Sequence, residues 1–197
     1  LALAGMKAGQ AGLLIWIGTP EIFREAGRPY APGLAEQFGI RPESLILAEA
    51  AKLEDVLWIA EQAADLAAPA VIVVEAGARS RALDLTATRR LHRRALAAGH
   101  LMMLLRHAGR AVPTAAPVRL LAVSAAASPR TTLSGPLQDS IGPPAFGVSI
   151  DKSRFSSSSV FVLEWDGEIR AFKERSHVPA AKISGSLSAI SADGAGV

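Results

Sequence analysis

The sequence predicts an α/β fold: a mainly parallel sheet with helices on both faces, extended by antiparallel strands towards the end of the chain. Apolar runs at 12–18, 70–74 and 100–105 lack the alternation of half-buried strands, which is typical of strands covered on both faces. Segments with helical apolar spacing separate these runs, as in βαβ units. After Val112 prolines become frequent and the strand-like runs shorten, which indicates a meander added to the parallel sheet.

Glycine and proline bound the elements in the first part of the chain. Gly39 and Gly99 each follow a helical segment, where glycine commonly ends a helix. Asp84 or Thr86 can cap the second of these helices. In chain order we predict a helix end at 1–10, strand 12–18, short helix 33–38, strand 44–48, helix 53–67, strand 70–74, helix 86–98 and strand 100–105. We expect 71–74 to be a central strand, flanked by 12–18 and 101–105.

The second part of the chain reads as short strands and a long loop. We predict strands at 118–124, 146–151, 160–165 and 169–173, and a loop over 126–145. Residues 1–175 are expected to form one core. The Ser/Ala/Gly-rich segment 176–197 lacks the apolar side chains to bury a core, so it is predicted to be disordered.

Composition narrows the class of protein. Half of the 197 residues are apolar and a fifth are charged, as in a globular domain. The chain has no cysteine, which excludes disulfides and thiolate metal sites. No run approaches the roughly 18 apolar residues of a membrane-crossing helix, and no signal peptide is apparent. We therefore expect a cytoplasmic protein without a membrane partner.

Two carboxylates follow strand-like runs. Glu21 comes soon after the run at 12–18, and Glu75 ends the run at 70–74. The carboxyl ends of parallel strands form the ligand crevice of α/β proteins. Acids there can activate water or hold a metal ion, but acids at strand ends are also often merely solvated. Both interpretations remain open from the residues alone.

Several motifs resemble those of the RecA-like ATPase core, and more closely those of the ImuA family, RecA-related accessory proteins of bacterial SOS mutagenesis that are also described as SulA-related. The most family-specific run is LDLTATRRL at 83–91. The others are YAPGL at 30–34, VIVVE at 71–75 where RecA proteins carry VIVVD, HLMMLLRHAG at 100–109, VRLLAVSA at 118–125, and the pair FGVSIDKSR at 146–154 and VFVLEW at 160–165.

The resemblance implies a degenerate ATPase site. A phosphate loop needs G-x-x-x-x-G-K-[ST], and no such string occurs in the sequence. Glu75 stands where RecA proteins carry the metal aspartate, Glu21 is displaced by one position from the catalytic glutamate, and His107 falls within the position of an Asn-Gln pair. We therefore expect these three to be vestigial, with no catalytic residue, no metal site and no cofactor. The resemblance then implies a core without its N-terminal phosphate-loop strand; ATP with magnesium is implied only if that loop lies upstream of residue 1.

Arginines cluster on the predicted helix 86–98. Arg89, Arg90, Arg93 and Arg94 occupy one arc of that helix, opposite its apolar residues. They could bind an acidic protein, bind DNA phosphates, or only be solvated. We expect them to lie outside the core, so that charge reversal at Arg90 and Arg94 leaves folding intact.

The tryptophans and histidines give no clear indication of a site. Trp16 and Trp58 are interpreted as core residues. The histidines are too scattered for metal-ligand spacing; they are His92, His100, His107 and His177.

The resemblance also implies a function. ImuA-like proteins act as accessory assembly factors in damage-induced translesion mutagenesis, so the implied partners are an ImuB-type adaptor, RecA and an alternative replicative-type polymerase, with DNA contact possible. Two alternatives stay open: a RecA-type DNA-stimulated ATPase, and a SulA-like inhibitor of cell division.

Overall fold

The computed structural model describes residues 12–68, 70–77, 82–107, 112–154 and 159–175. These residues form two compact units, which meet in sequence between Ala116 and Pro117. The α/β class is confirmed, whereas a single core over 1–175 stays a prediction. The predicted helix end at 1–10 and the predicted tail at 176–197 lie outside the described residues.

The first unit is a four-stranded parallel sheet with helices between the strands. Its strands are β1 (Leu13–Gly18), β2 (Leu45–Glu49), β3 (Ala70–Ala76) and β4 (Leu101–Arg106), and its helices are α1 (Pro20–Glu25), α2 (Ala31–Phe38), α3 (Leu53–Ala63) and α4 (Leu85–Ala98). A 3-10 turn, Pro42–Ser44, precedes β2. The strand order is β2-β1-β3-β4. The predicted central position of β3, between β1 and β4, is therefore confirmed.

One face of this sheet packs against α3 and α4. Ile17 and Ile72 are fully buried on that face, and Val56 of α3 and Leu91 of α4 pack into the same cluster. Every residue of β3 is buried. Burying such aliphatic side chains contributes roughly 1.5–3 kcal/mol each.

The other face of the sheet carries α1 next to the end of β1. A Cβ built on Gly18 would lie 2.8–3.0 Å from side-chain atoms of Phe23 and Ile22, so a larger residue would force these side chains to shift. Gly18 shares a face with Trp16, two residues earlier, and not with Ile17. Right-handed crossovers also require the connection through α1 and α2, which leads outward to β2, to lie opposite α3 and α4.

Several helix boundaries differ from those predicted. α1 was not predicted, because Pro20 was read only as a strand end; proline is in fact favoured at the first position of a helix, and the Thr19 side chain accepts a hydrogen bond from the Ile22 backbone N–H at 3.3 Å. α3 ends at Ala63, earlier than residue 67. Asp84, rather than Thr86, caps α4 by accepting from the Ala87 N–H at 2.7 Å.

The second unit contains a four-stranded antiparallel sheet. Its strands are β5 (Val118–Ala125), β8 (Ala145–Ser153), β9 (Val160–Asp166) and β10 (Ala171–Glu174). Their order in the sheet is β10-β9-β8-β5. Among the described residues these strands form their own sheet, which corrects the prediction that they extend the parallel one. The predicted loop 126–145 also contains a small hairpin, β6 (Thr131–Thr132) with β7 (Gly135–Pro136). Pairing between distant strands decides sheet membership, and local sequence does not report it.

Glu164 on β9 anchors the segment that follows β5. Its carboxylate accepts hydrogen bonds from the Ser128 backbone N–H at 3.2 Å and from Arg175, whose guanidinium also donates to the Ala126 carbonyl at 2.9 Å. Burial raises the pKa of Glu164 and is the largest single influence. The hydrogen bonds from Ser128 and Arg175, with the charge of Arg175, together outweigh it and hold that pKa below its ordinary value.

Acidification should weaken the second unit through Glu164. Because its pKa is lower in the folded than in the unfolded chain, the ionised carboxylate stabilises the fold above the unfolded value of about 4.3, and this contribution is lost as the pH falls through the folded value. We expect the free energy of unfolding to drop more between about pH 5 and pH 3 in the wild type than in Glu164→Gln, which cannot titrate. Urea denaturation followed by circular dichroism measures both. An equal drop in the two proteins would contradict this account.

Candidate functional site

The strand order places a topological switch point between β1 and β3. The connection from β1 leads outward to β2, whereas the connection from β3 leads the opposite way to β4. Ligands of open α/β sheets bind outside the carboxyl ends of strands at such a point. Glu75 lies at that end of β3, beside the end of β1 at Gly18.

Glu75 is a nearly buried carboxylate held by donors from both neighbouring strands. Its side chain is 4% exposed. The Trp16 indole N–H on β1 donates to Oε2 at 2.7 Å, and His107 Nε2 lies 2.5 Å from Oε1. The strand register places Trp16 beside Val73, so that the indole and the Glu75 side chain project from the same face.

His107 reaches Glu75 because it directly follows β4. Its backbone N–H donates to the Ala76 carbonyl at 3.1 Å, which continues the ladder between β3 and β4. Its side chain is 37% exposed, so the imidazole connects the buried carboxylate to solvent. His107 Nε2 and Glu75 Oε1 thus lie within hydrogen-bond distance at the edge of the buried region.

Glu21 does not join this cluster. It lies in the first turn of α1 with an exposed side chain, and no hydrogen bond or ion pair links it to Glu75 among the described residues. The two strand-end acids, Glu21 and Glu75, are therefore not brought together. Of the three positions that the resemblance singled out, only Glu75 and His107 are in contact. Trp16 was interpreted from the sequence as a core residue, but its indole N–H contacts the Glu75 carboxylate directly. One signal in the sequence could have indicated this contact: Trp16 lies two residues before the end of its strand, and the neighbouring strand carries a carboxylate near its end.

The four arginines of α4 divide into two pairs. Arg90 Nε lies 3.0 Å from Glu61 Oε1, and Arg94 contacts both Glu61, at 3.6 Å, and Asp65, at 2.5 Å. The Glu61 side chain is only 12% exposed, so these ion pairs join α4 to α3 rather than facing an external partner. Within the described part of the chain, Arg89 and Arg93 are exposed and form no ion pair.

Trp58 also lies where the sequence did not place it. Its side chain points away from the buried face of α3, and the residue is 61% exposed. The interpretation of Trp58 as a core residue is therefore wrong. Val56 and Leu57 occupy the core positions of that helical turn.

His100 has a structural role. Its Nδ1 accepts from the Ala70 backbone N–H at 3.4 Å and its Nε2 lies 3.0 Å from the Leu66 carbonyl. The neutral imidazole protonated on Nε2 satisfies both contacts, which tie the segment after α3 to the start of β4.

Comparison of the sequence with protein-family models and with curated proteins found no match. Among the described helices, none combines the length and the apolar character needed to cross a membrane.

Removing the indole N–H should destabilise the first unit. Trp16→Phe keeps an aromatic ring but removes the five-membered ring with its N–H, so Glu75 Oε2 is left without its donor, at a cost of about 1–3 kcal/mol in addition to the lost packing. The same change in a Glu75→Leu background should cost clearly less, because the acceptor is already absent. Urea denaturation of the four proteins of this cycle measures the coupling. Trp58→Phe is the matched control and should be nearly neutral; an equal cost of Trp16→Phe in both backgrounds would refute the interaction.

Charge reversal on α4 should separate the two pairs of arginines. Arg90→Glu with Arg94→Glu places acids opposite Glu61 and Asp65 and should lower the free energy of unfolding by about 1–2 kcal/mol, contrary to the expectation from the sequence. Arg89→Glu with Arg93→Glu makes the same change in net charge and should stay within about 0.5 kcal/mol of wild type. The urea midpoints compare the two proteins directly, and identical midpoints would show that the pairs are equivalent.

Proposed function

We propose that this chain is a non-catalytic, RecA-like accessory factor of SOS-induced translesion mutagenesis, which assembles an ImuB-type adaptor, RecA and an alternative replicative-type polymerase at damaged DNA in the cytoplasm. The motif resemblance supplies this hypothesis. One observation supports the absence of catalysis in this proposal: both carboxylate oxygens of Glu75 already have a nitrogen partner.

The geometry around Glu75 does not fit magnesium with ATP. Magnesium needs carboxylate oxygens in near-ideal octahedral geometry, together with phosphates and several waters. Here Trp16 occupies one oxygen, His107 the other, and the side chain is nearly inaccessible. Binding a metal ion would first require both hydrogen bonds to break. The proposal therefore includes no phosphoryl transfer at this site.

An assembly role instead requires exposed surface that does not serve the fold. Arg89 and Arg93 supply such surface on α4. Arg90 and Arg94 instead form ion pairs with Glu61 of α3 and with Asp65 just after it. This division supports contact between an acidic partner and the exposed arginines of the cluster. It also reduces from four to two the arginines of this helix that are free to bind DNA phosphates.

Phosphate release and complex formation test the proposal together. With magnesium-ATP and single-stranded DNA, we expect no turnover above a chain-free control, while size-exclusion chromatography detects a complex with the purified adaptor. Turnover that disappears in Glu75→Gln would favour the ATPase alternative. Filamentation of cells that express the chain, without any complex with the adaptor, would favour the inhibitor of cell division.

A further inference from the structure

Three aliphatic side chains are exposed on one loop of the second unit. Leu133 is fully exposed, Ile141 is 81% exposed and Leu137 is 53% exposed. All three belong to the segment that connects β5 with β8. Single exposed aliphatic residues are common at protein surfaces, but exposed apolar side chains that are concentrated in one place mark an interaction site. We call residues 130–141 the apolar loop.

The backbone of the apolar loop is held by its own hydrogen bonds, with Arg130 at their centre. The Arg130 carbonyl accepts from the Leu137 backbone N–H at 2.8 Å, and the Arg130 backbone N–H donates to Ser140 Oγ at 2.7 Å. The Arg130 side-chain Nε donates to the Ile141 carbonyl at 3.0 Å. Leu137 and Ile141 are thus joined to one residue, which directly precedes the β6–β7 hairpin, and the turn of that hairpin begins at Leu133.

Further contacts hold the tip and the base of the loop. At the tip, Thr132 Oγ1 donates to the Gly135 carbonyl at 2.8 Å and accepts from the Ser134 backbone N–H at 3.3 Å. At the base, a Cβ built on Gly142 would lie 1.9 Å from the Ser128 carbonyl oxygen, so the two ends of the segment are in close contact. These contacts are made by backbone and polar groups. The loop therefore presents its three aliphatic side chains on a frame that loses little conformational freedom on binding.

The composition of the apolar loop favours a protein partner over nucleic acid. Arg130 and Asp139 are its only charged residues, and their charges cancel. The loop therefore has no surplus of positive charge for phosphates. It also has no aromatic ring on which a base could stack. Aliphatic side chains instead match the apolar centre of a protein interface.

The surface cavities of the described residues do not offer a second copy of the chain a matching receptor. The cavity beside Leu66 is bordered by Asp65 and Arg93, and the cavity at the base of the loop is bordered by Arg130 and Glu164. An aliphatic side chain that entered either cavity would displace water from these charged groups without replacing the lost hydrogen bonds. We therefore look for the receptor on a different protein.

We propose that the apolar loop is a docking element, which inserts Leu133, Leu137 and Ile141 into an apolar cleft of a partner protein. The choice of partner rests on the proposed function, in which the chain binds the adaptor. The loop belongs to the second unit and uses neither the residues around Glu75 nor the arginines of α4. It thus adds a contact of different chemistry to the one that the exposed arginines supply.

Calorimetric titration of the purified adaptor into the full chain measures this contact. Leu133→Ser with Ile141→Ser, and separately Leu137→Ser, should each weaken binding at least about tenfold, because a short polar side chain no longer fills the cleft. Ser140→Ala keeps all three aliphatic side chains but removes the hydroxyl that connects Arg130 to Leu137. It should weaken binding at least about threefold, because the loop is then less well ordered before it binds.

Leu120→Ser with Ile169→Ser is the matched control, since it replaces the same two residue types at exposed positions of the second unit outside the loop. It should bind as the wild type does, and circular dichroism verifies that each variant is folded. A complex that forms equally well with the loop variants would overturn this inference and leave the assembly role standing. Absence of any complex with the wild-type chain would overturn both.

The same variants test the other possible occupants of the loop. Size-exclusion chromatography of the chain alone detects self-association, and co-sedimentation with phosphatidylcholine vesicles detects binding to a lipid surface. We expect the wild-type chain and the loop variants to behave alike in both measurements. Self-association or vesicle binding that is lost in Leu133→Ser with Ile141→Ser would overturn the assignment of the loop to a partner protein.

Discussion

The burial of β3 between β1 and β4 is the constraint on which the rest of the structure depends. All seven of its residues are buried, so each must be apolar or fully satisfied by hydrogen bonds. Glu75 is the one ionisable residue among them, and it meets this requirement only through groups from both flanking strands. The candidate site thus depends on the same strand pairing that forms the core.

The pair α3 and α4 shows how surface charge can be divided between stability and recognition. Glu61 is mostly covered, and its two arginine partners complete the contact between the helices. Arginines one position earlier on each turn, Arg89 and Arg93, point away from α3. Four similar residues on one arc of a helix therefore have two different environments, set by a rotation of about 100° per residue.

The sequence was most informative where local pattern decides the structure. The four parallel strands were predicted to within a few residues, because unbroken apolar runs leave few alternatives, and Gly39 and Gly99 adopt the left-handed conformation expected of helix ends. α1 was missed although Thr19-Pro20 carries the capping signal, since its six residues are too short for periodicity to show. The partners of Glu75 depend on strand register, which no local pattern reports. The exposure of Trp58 follows instead from its position off the apolar stripe of α3, which helical spacing indicates.

The strand order also has a consequence during synthesis. β1 lies inside the sheet but is made first, and β2, its neighbour on one edge, follows soon after it. The other edge of β1 stays open until β3 leaves the ribosome, and during that interval its backbone and the apolar Leu14 and Ile17 have no native cover. An unpaired apolar strand edge is a site at which nascent chains aggregate. The arrival of β3 closes this edge and ends that exposure.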